Sequence, residues 1–354
     1  MKIIIVTIIC FFMTQTALYA QTDTKISKDD SSHAIVFMYH RFGNSKYPST
    51  NIRLEQFKHH LDYIEEHGYS VWALSKIVRY IQEGKKIPKN TVAISVDDAY
   101  KTTYTHGYKM LKEKNYPFTV FVNTNPIDNR SKNYMTWDQM REMSRNGVEF
   151  ANHSLTHEYL LPAKGESKDA WEKRFKKEVT QAQKRLQEEL GKDTNTKPKL
   201  FSYPFGEYNS NMANLLQEMG YVGFAQVSGV VSVHSDLRAL PRYAMSEVYG
   251  TAKGFELKIN TLPLPVKSVF PWEPVLGDTN PPKLELELQR PLDGIGCFVG
   301  SGERIDFQRL SDTELEIQAN MPLNSPRDRY TCTAPAGDGK WYWYSHMWII
   351  KKDR

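Results

Sequence analysis

A parallel α/β domain followed by a small β-sandwich is the fold class that the sequence predicts, and three observations predict it. The stretch Thr91-Val92-Ala93-Ile94-Ser95-Val96 is β-branched and apolar, reads as a buried strand, and ends on two adjacent carboxylates, Asp97 and Asp98. Runs of this kind alternate with segments of helical periodicity from residue 34 to about residue 243, the signature of a parallel sheet covered by helices. Past Leu262 the texture changes: Pro263, Pro265, Pro271, Pro274, Pro281 and Pro282 interrupt any long helix, and the strands beyond alternate apolar with charged residues.

Taken in order, residues 1–20 have the three zones of a secretory signal. Lys2 supplies the positive start, residues 3–13 the apolar core, and Ala17-Leu18-Tyr19-Ala20 the small-residue cleavage region. Cleavage is expected after Ala20, an uncleaved anchor being the rival reading. The apolar run is short for a span, so no stable membrane segment is expected once it is removed. Cys10 leaves with it, and Gln21 offers no thiol for a lipid anchor. Residues 21–32 are polar and read as a disordered lead-in.

The α/β region is expected to run from 33 to 262. Strands are predicted at 34–39 (ending at His40), 69–72, 91–98, 118–122, 148–151, 200–203, 222–225 and 239–243. Helices are predicted at 54–67, 75–83, 108–114, 136–143, 167–190 and 211–219. The longest has Phe175, Val179, Ala182, Leu186 and Leu190 on one face and a charged, solvated face opposite, with Gly191 ending it.

Residues 263–354 are expected to form the accessory sandwich, with half-buried strands at 283–288 and 314–319. Cys297 and Cys332 are the only cysteines left after cleavage, and in an exported chain a disulfide between them is the default over two free thiols. Trp341-Tyr342-Trp343-Tyr344 and Trp348 suit sugar stacking, but in so small a sandwich alternate aromatics more simply fill the core and the domain contact. The formal net charge of +5 is modest and its basic residues are dispersed, which argues against nucleic acid as a partner.

The chemistry follows from residue types. Strand ends of α/β folds carry their active groups, and His153-Ser154-Leu155-Thr156-His157 sets two histidines four residues apart on one face of a helical turn, so that both imidazoles can point at one ion. Asp98, His153 and His157 would then hold one divalent ion with open positions, a catalytic rather than a closed structural site. Asp97 would point elsewhere along an ideal strand and be left as general base, with Arg242 or a similar cation keeping it ionised. A backbone N–H near Phe205, after the Pro204 turn, could help to stabilise an oxyanion. These parts suit the hydrolysis of an amide or ester.

Ser95-Val96-Asp97-Asp98-Ala99-Tyr100, Asn152-His153-Ser154-Leu155-Thr156-His157 and Tyr203-Pro204-Phe205-Gly206-Glu207-Tyr208 together resemble the polysaccharide deacetylases with a NodB homology domain. The resemblance covers residues 33–250. It implies a distorted (β/α) barrel of about seven strands and a metal-dependent hydrolase that takes acetyl groups from N-acetylglucosamine polymers. It also implies one divalent ion, zinc first, with cobalt or nickel as alternatives. Carried over, Asp97 is the base, Asp98, His153 and His157 are the ligands, and Phe205 gives the oxyanion donor. Tyr100, Tyr203 and Pro204 are expected beside the substrate. Met38-Tyr39-His40-Arg41 and the Tyr-Pro-Phe-Gly turn look most like the branch acting on poly-N-acetylglucosamine, with chitin-like polymers and peptidoglycan as the other substrates.

The sequence departs from the pattern in three places. Ala99 replaces a glycine. Ser202 stands where many members have an arginine, so Arg242 inherits the role of orienting the base. The late histidine motif is missing from Phe255-Glu256-Leu257-Lys258-Ile259, which leaves His40 and His234 as candidates for the general acid. A carbohydrate-binding protein on a deacetylase frame and an O-acetyl esterase are the competing functions; periplasm and extracellular space are both open, as is the oligomeric state.

Overall fold

Residues 32–191 and 198–350 are described by a computed structural model of the chain. The expected signal segment and nearly all of the lead-in lie outside the described residues, and so does the polar stretch 192–197.

Nine strands make the main sheet: β1 (His33–Tyr39), β2 (Ser70–Val71), β3 (Thr91–Asp97), β4 (Thr119–Val122), β5 (Glu149–Asn152), β6 (Lys199–Ser202), β7 (Tyr221–Phe224), β8 (Val231–Ser232) and β9 (Tyr243–Ala244). β1, β3, β4, β5, β6 and β7 lie side by side and parallel. β2 pairs with the start of β3, β8 runs antiparallel to the start of β1, and β9 runs parallel to its later half. Among the described residues eight α-helices accompany them: α1 (Leu54–Glu66), α2 (Leu74–Gln82), α3 (Tyr108–Glu113), α4 (Thr124–Asp128), α5 (Trp137–Arg145), α6 (Lys168–Leu190), α7 (Ser210–Glu218) and α8 (Ala252–Ile259). Side-chain caps start several of them. Thr136 and Gln139 exchange hydrogen bonds at the start of α5, and Ser167 and Asn209 cap α6 and α7.

The strand expected at 239–243 is mostly something else. Leu240 bridges Phe224 of β7, whereas Tyr243 pairs with Phe37 of β1, so this segment crosses from one free edge of the sheet to the other and curls it into a distorted barrel. Only Tyr243–Ala244 is paired as a strand, because a seam that changes neighbours every few residues cannot keep one ladder.

The two-residue period of the strands decides which side chains line the interior. Ile35, Phe37, Ile94, Val96 and Val120 face outward and pack with Phe57, Leu61, Leu111 and Met140 of the helices. Ala34, Val36, Ala93, Phe121, Ala151, Leu200, Val222 and Phe224 share the other face, which Leu74, Ile77 and Val78 of α2 also cover. Ser95, Asp97 and Ser202 have the parity of Ala93 and Leu200 and so belong to the interior.

The C-terminal part adds β10 (Thr261–Pro263), β11 (Val266–Phe270), β12 (Lys283–Leu288), β13 (Gly296–Val299), β14 (Arg304–Ile305), β15 (Gln308–Arg309), β16 (Glu314–Gln318), β17 (Arg327–Gly337) and β18 (Lys340–Ile349). They form two sheets, ordered β10-β18-β17-β13-β14 and β11-β12-β16-β15. In β12, Leu284, Leu286 and Leu288 point into the space between the sheets, as the alternation predicts. Cys297 and Cys332 sit opposite one another on β13 and β17 and are disulfide-bonded. The aromatic strand β18 is a shared wall. Tyr342, Tyr344 and Trp348 enter the sandwich core, while Trp343 meets Tyr243 at 5.8 Å and Met347 and Ile349 pack with Phe201 and Tyr203. Among the described residues no helix is long and apolar enough to cross a membrane.

Candidate metal centre

The site lies where β1, β3, β5 and β6 end. β3 stops at Asp97, and the next two residues take left-handed conformations, φ 73° at Asp98 and 58° at Ala99. That turn swings the Asp98 side chain off the strand's alternation, so adjacent carboxylates serve one site. Asp98 Oδ1 lies 3.2 Å from Nε2 of both His153 and His157, and one ligand atom from each of the three residues falls within 4.8 Å of the others.

The two histidines do not share a helical turn. His153 follows β5 directly, and Ser154 (φ 67°) and His157 (φ 63°) fold the segment into a tight loop. Three side chains hold this loop in place of helical hydrogen bonds. Asn152 Oδ1 accepts from the Ser154 amide at 2.9 Å, Ser154 Oγ accepts from the His157 amide at 3.0 Å, and Glu178 Oε2 accepts from the Leu155 and Thr156 amides and the Thr156 hydroxyl. Glu178 belongs to α6, whose charges had been read as solvent-facing. Its place gave the signal: it lies three residues after Phe175 and next to Val179, on the apolar stripe, where a carboxylate needs a buried partner.

The donor set fits a divalent cation. The Ser202 carbonyl lies 2.8 Å from His153 Nδ1 and accepts its proton, which leaves Nε2 as the ring atom that faces the Asp98 carboxylate. His153 Nε2 and Asp98 Oδ1 are both buried without a hydrogen-bond partner, an arrangement that a cation relieves. Burial, then the neighbouring His153, pushes the His157 pKa down to about 4, so its imidazole stays neutral and able to ligate well into acid. Burial alone would raise the Asp98 carboxyl, but the imidazoles of His153, His40 and His157 around it outweigh that and hold it well below the usual range.

Asp97 is fully buried and paired with Arg242. The guanidinium is bidentate, Nη1 to Oδ1 at 2.7 Å and Nη2 to Oδ2 at 2.8 Å, and it also donates to the Ser95 and Ser202 hydroxyls, while Ser202 Oγ donates to Asp97 Oδ2 at 3.1 Å. Its carbon lies 5.3 Å from the Phe121 ring centroid and 6.0 Å from that of Phe224, so Arg242 fills the barrel interior below the site. Burial pushes the Asp97 carboxyl up, yet Arg242, His153 and His40 together keep it ionised. Ser95 and Ser202, inward-facing hydroxyls in otherwise apolar strands, complete this network.

The remaining candidates separate. His40 follows β1, is half-buried, and feels the charges of Asp98, Asp97, Arg242 and His153; burial is the main cause that lowers its pKa. Tyr100 lies under the Arg41 guanidinium at 3.2 Å; burial first, then Asp98, raises its hydroxyl pKa. Phe205 holds φ 58°, and its ring meets His157 at 4.6 Å and Tyr159 at 4.4 Å. Tyr203 and Pro204 do not border the site as expected. Both are buried, Tyr203 donates its hydroxyl to the Arg238 carbonyl and packs on Phe201 and Tyr208, and the pair therefore builds the turn from below. His234 is exposed and two residues beyond Ser232, which pairs with His33 at the start of β1, the end of the sheet opposite Asp97; it is no candidate for the general acid.

Comparison with known proteins gives one consistent result. Residues 84–224, which carry the carboxylates, the histidines and the Tyr-Pro-Phe-Gly turn, match the family model described as polysaccharide deacetylase. The chain is 24% identical over 249 residues to a poly-beta-1,6-N-acetyl-D-glucosamine N-deacetylase of Staphylococcus epidermidis, covering 64% of this chain and 84% of that one. Among solved structures it is similar to the deacetylase PplD of Streptococcus pyogenes in complex with acetate (TM-score 0.56, 20% identity, 64% of this chain and 98% of that one). It is also similar to IcaB from Ammonifex degensii (TM-score 0.53, 21% identity, 64% and 97%). At such identities the structural likenesses establish the fold.

Proposed function

From the premise that this chain carries a polysaccharide deacetylase domain, we propose that it is an exported, metal-dependent enzyme removing N-acetyl groups from N-acetylglucosamine units of a polysaccharide, poly-β-1,6-N-acetylglucosamine first among them. Residues 33–262 would be the catalytic unit and 263–354 an accessory sandwich. The observation that carries the reading is the meeting of Asp98, His153 and His157 ligand atoms beside the ionised Asp97–Arg242 pair, inside the matched segment. The disulfide supports export, since such bonds persist in oxidising compartments.

A divalent ion held by Asp98, His153 and His157, zinc before cobalt or nickel, would supply Lewis acidity toward the acetyl carbonyl and the attacking water. The protein's own residues do the rest. Asp97 accepts the proton of the water as it adds to the carbonyl carbon; Arg242 keeps that carboxylate charged and fixed until then. The Phe205 N–H donates to the oxygen that gains charge, in a turn whose conformation is set before substrate arrives. His40, beside the same carboxylates, relays to the leaving amine the proton that Asp97 took from the water, the part for which His234 lies too far. Tyr100, beside Asp98, borders the sugar.

Acetate release from β-1,6 and β-1,4 N-acetylglucosamine oligomers and from an O-acetylated sugar tests this. The expected result is release from the β-1,6 oligomer that Asp97→Asn lowers by about a thousandfold. Tight oligomer binding without acetate would point to a carbohydrate-binding protein, and release from the O-acetyl sugar alone to an esterase.

A further inference from the structure

We propose that Arg327, at the start of β17 in the C-terminal sandwich, is a positioning residue for the turn that presents the Phe205 N–H, so that the accessory sandwich takes part in catalysis without touching substrate. The inference rests on the deacetylase reading and on Phe205 as oxyanion donor.

Phe205 sits at φ 58° and ψ 4°, a left-handed conformation that a phenylalanine keeps only where its surroundings hold it. Two neighbours do so. After it, Gly206 (φ 72°) lies against Gln226 so closely that a Cβ there would come 2.5 Å from Gln226 Cβ, and the turn cannot slide that way. From the other domain, Arg327 Nη1 donates to the Phe205 carbonyl at 2.8 Å, its Nε stands 3.7 Å from Glu207 Oε1, and its guanidinium carbon lies 5.7 Å from the Phe205 ring centroid. One planar fork thus engages the carbonyl, the ring and the next carboxylate. Holding the carbonyl fixes ψ of Phe205. Holding the ring against His157 and Tyr159 fixes where the residue stands, and with it the direction of its N–H.

A purely stabilising role does not account for this side chain. It is 43% exposed, and exposed ion pairs add little to stability. What it reaches across the domain boundary is a residue in a left-handed conformation at the edge of the site.

The test uses the full mature chain with Arg327→Ala and Arg327→Lys. In Arg327→Ala, kcat for acetate release is expected to fall ~tenfold with KM, zinc affinity and melting temperature unchanged. Arg327→Lys should recover part of the loss, and added methylguanidinium should restore kcat in Arg327→Ala alone. Amide hydrogen exchange across residues 203–208 should quicken in the same variant, a readout that needs no turnover. A kcat within twofold of the parent, or unchanged exchange, overturns the proposal. If the parent itself releases no acetate, the deacetylase reading fails, and the exchange arm still decides whether Arg327 clamps the turn.

Discussion

Arg242 shows how a barrel can keep its base charged from across the interior. Where a cation on β6 would have reached Asp97, the chain has Ser202, and the guanidinium arrives instead from the closing seam, with the Ser202 hydroxyl bridging carboxylate and guanidinium. Both charges are fully buried, so removing one strands the other. Arg242→Met is expected to cost about 3–5 kcal/mol in urea unfolding, and Asp97→Asn in the same chain to recover part of that loss. A double-variant loss equal to the sum of the two single losses would mean that the two side chains act independently. Sequence alone could nominate Arg242 as a cation in need of a carboxylate; that it lies between Phe121 and Phe224 depends on the seam, which no local pattern specifies.

At the scale of elements, strands were legible and the functional loop was not. β3 announces itself by an unbroken apolar run, and the parity of Ser95 and Asp97 follows from it. The histidine segment has helical spacing but left-handed residues at Ser154 and His157, because its amides are satisfied by Asn152, Ser154 and Glu178 rather than by one another. A side chain that outbids local periodicity from 22 residues away leaves its trace only as an acid on an apolar stripe. Glu178→Gln keeps the size but loses the charge that gathers two amides and a hydroxyl. Zinc affinity should drop by about 10–100-fold, read by competition with a chromogenic chelator, while the melting temperature of the metal-free protein moves little. An unchanged affinity would make Glu178 a helix-packing residue only.

For the whole molecule, burial of neutral histidines sets the acid limit. Burial is the first cause that pushes His60, between the Tyr39 hydroxyl and the Gly250 carbonyl, down to about 3, and His346, in the sandwich strand facing the barrel, also to about 3. In the unfolded chain both titrate near 6.5. Between 6.5 and about 3 the unfolded state therefore binds more protons, and stability falls as pH falls, by up to about 1.4 kcal/mol per unit for each histidine. Urea midpoints at pH 7.5, 6 and 5 should decline together for barrel and sandwich signals, since Trp343, Met347 and Ile349 tie the two into one packed unit. His60→Phe should flatten part of the slope; a midpoint constant from pH 7.5 to 5 would contradict the assignment.

On this reading Asp98, His153 and His157 form one cation site in the folded chain. Calorimetric titration of the metal-stripped protein with zinc tests it most directly. One ion per chain is expected, with affinity lowered by at least about a hundredfold in His153→Ala and in Asp98→Asn. No uptake by the folded parent chain, or uptake that both variants leave intact, would contradict the account.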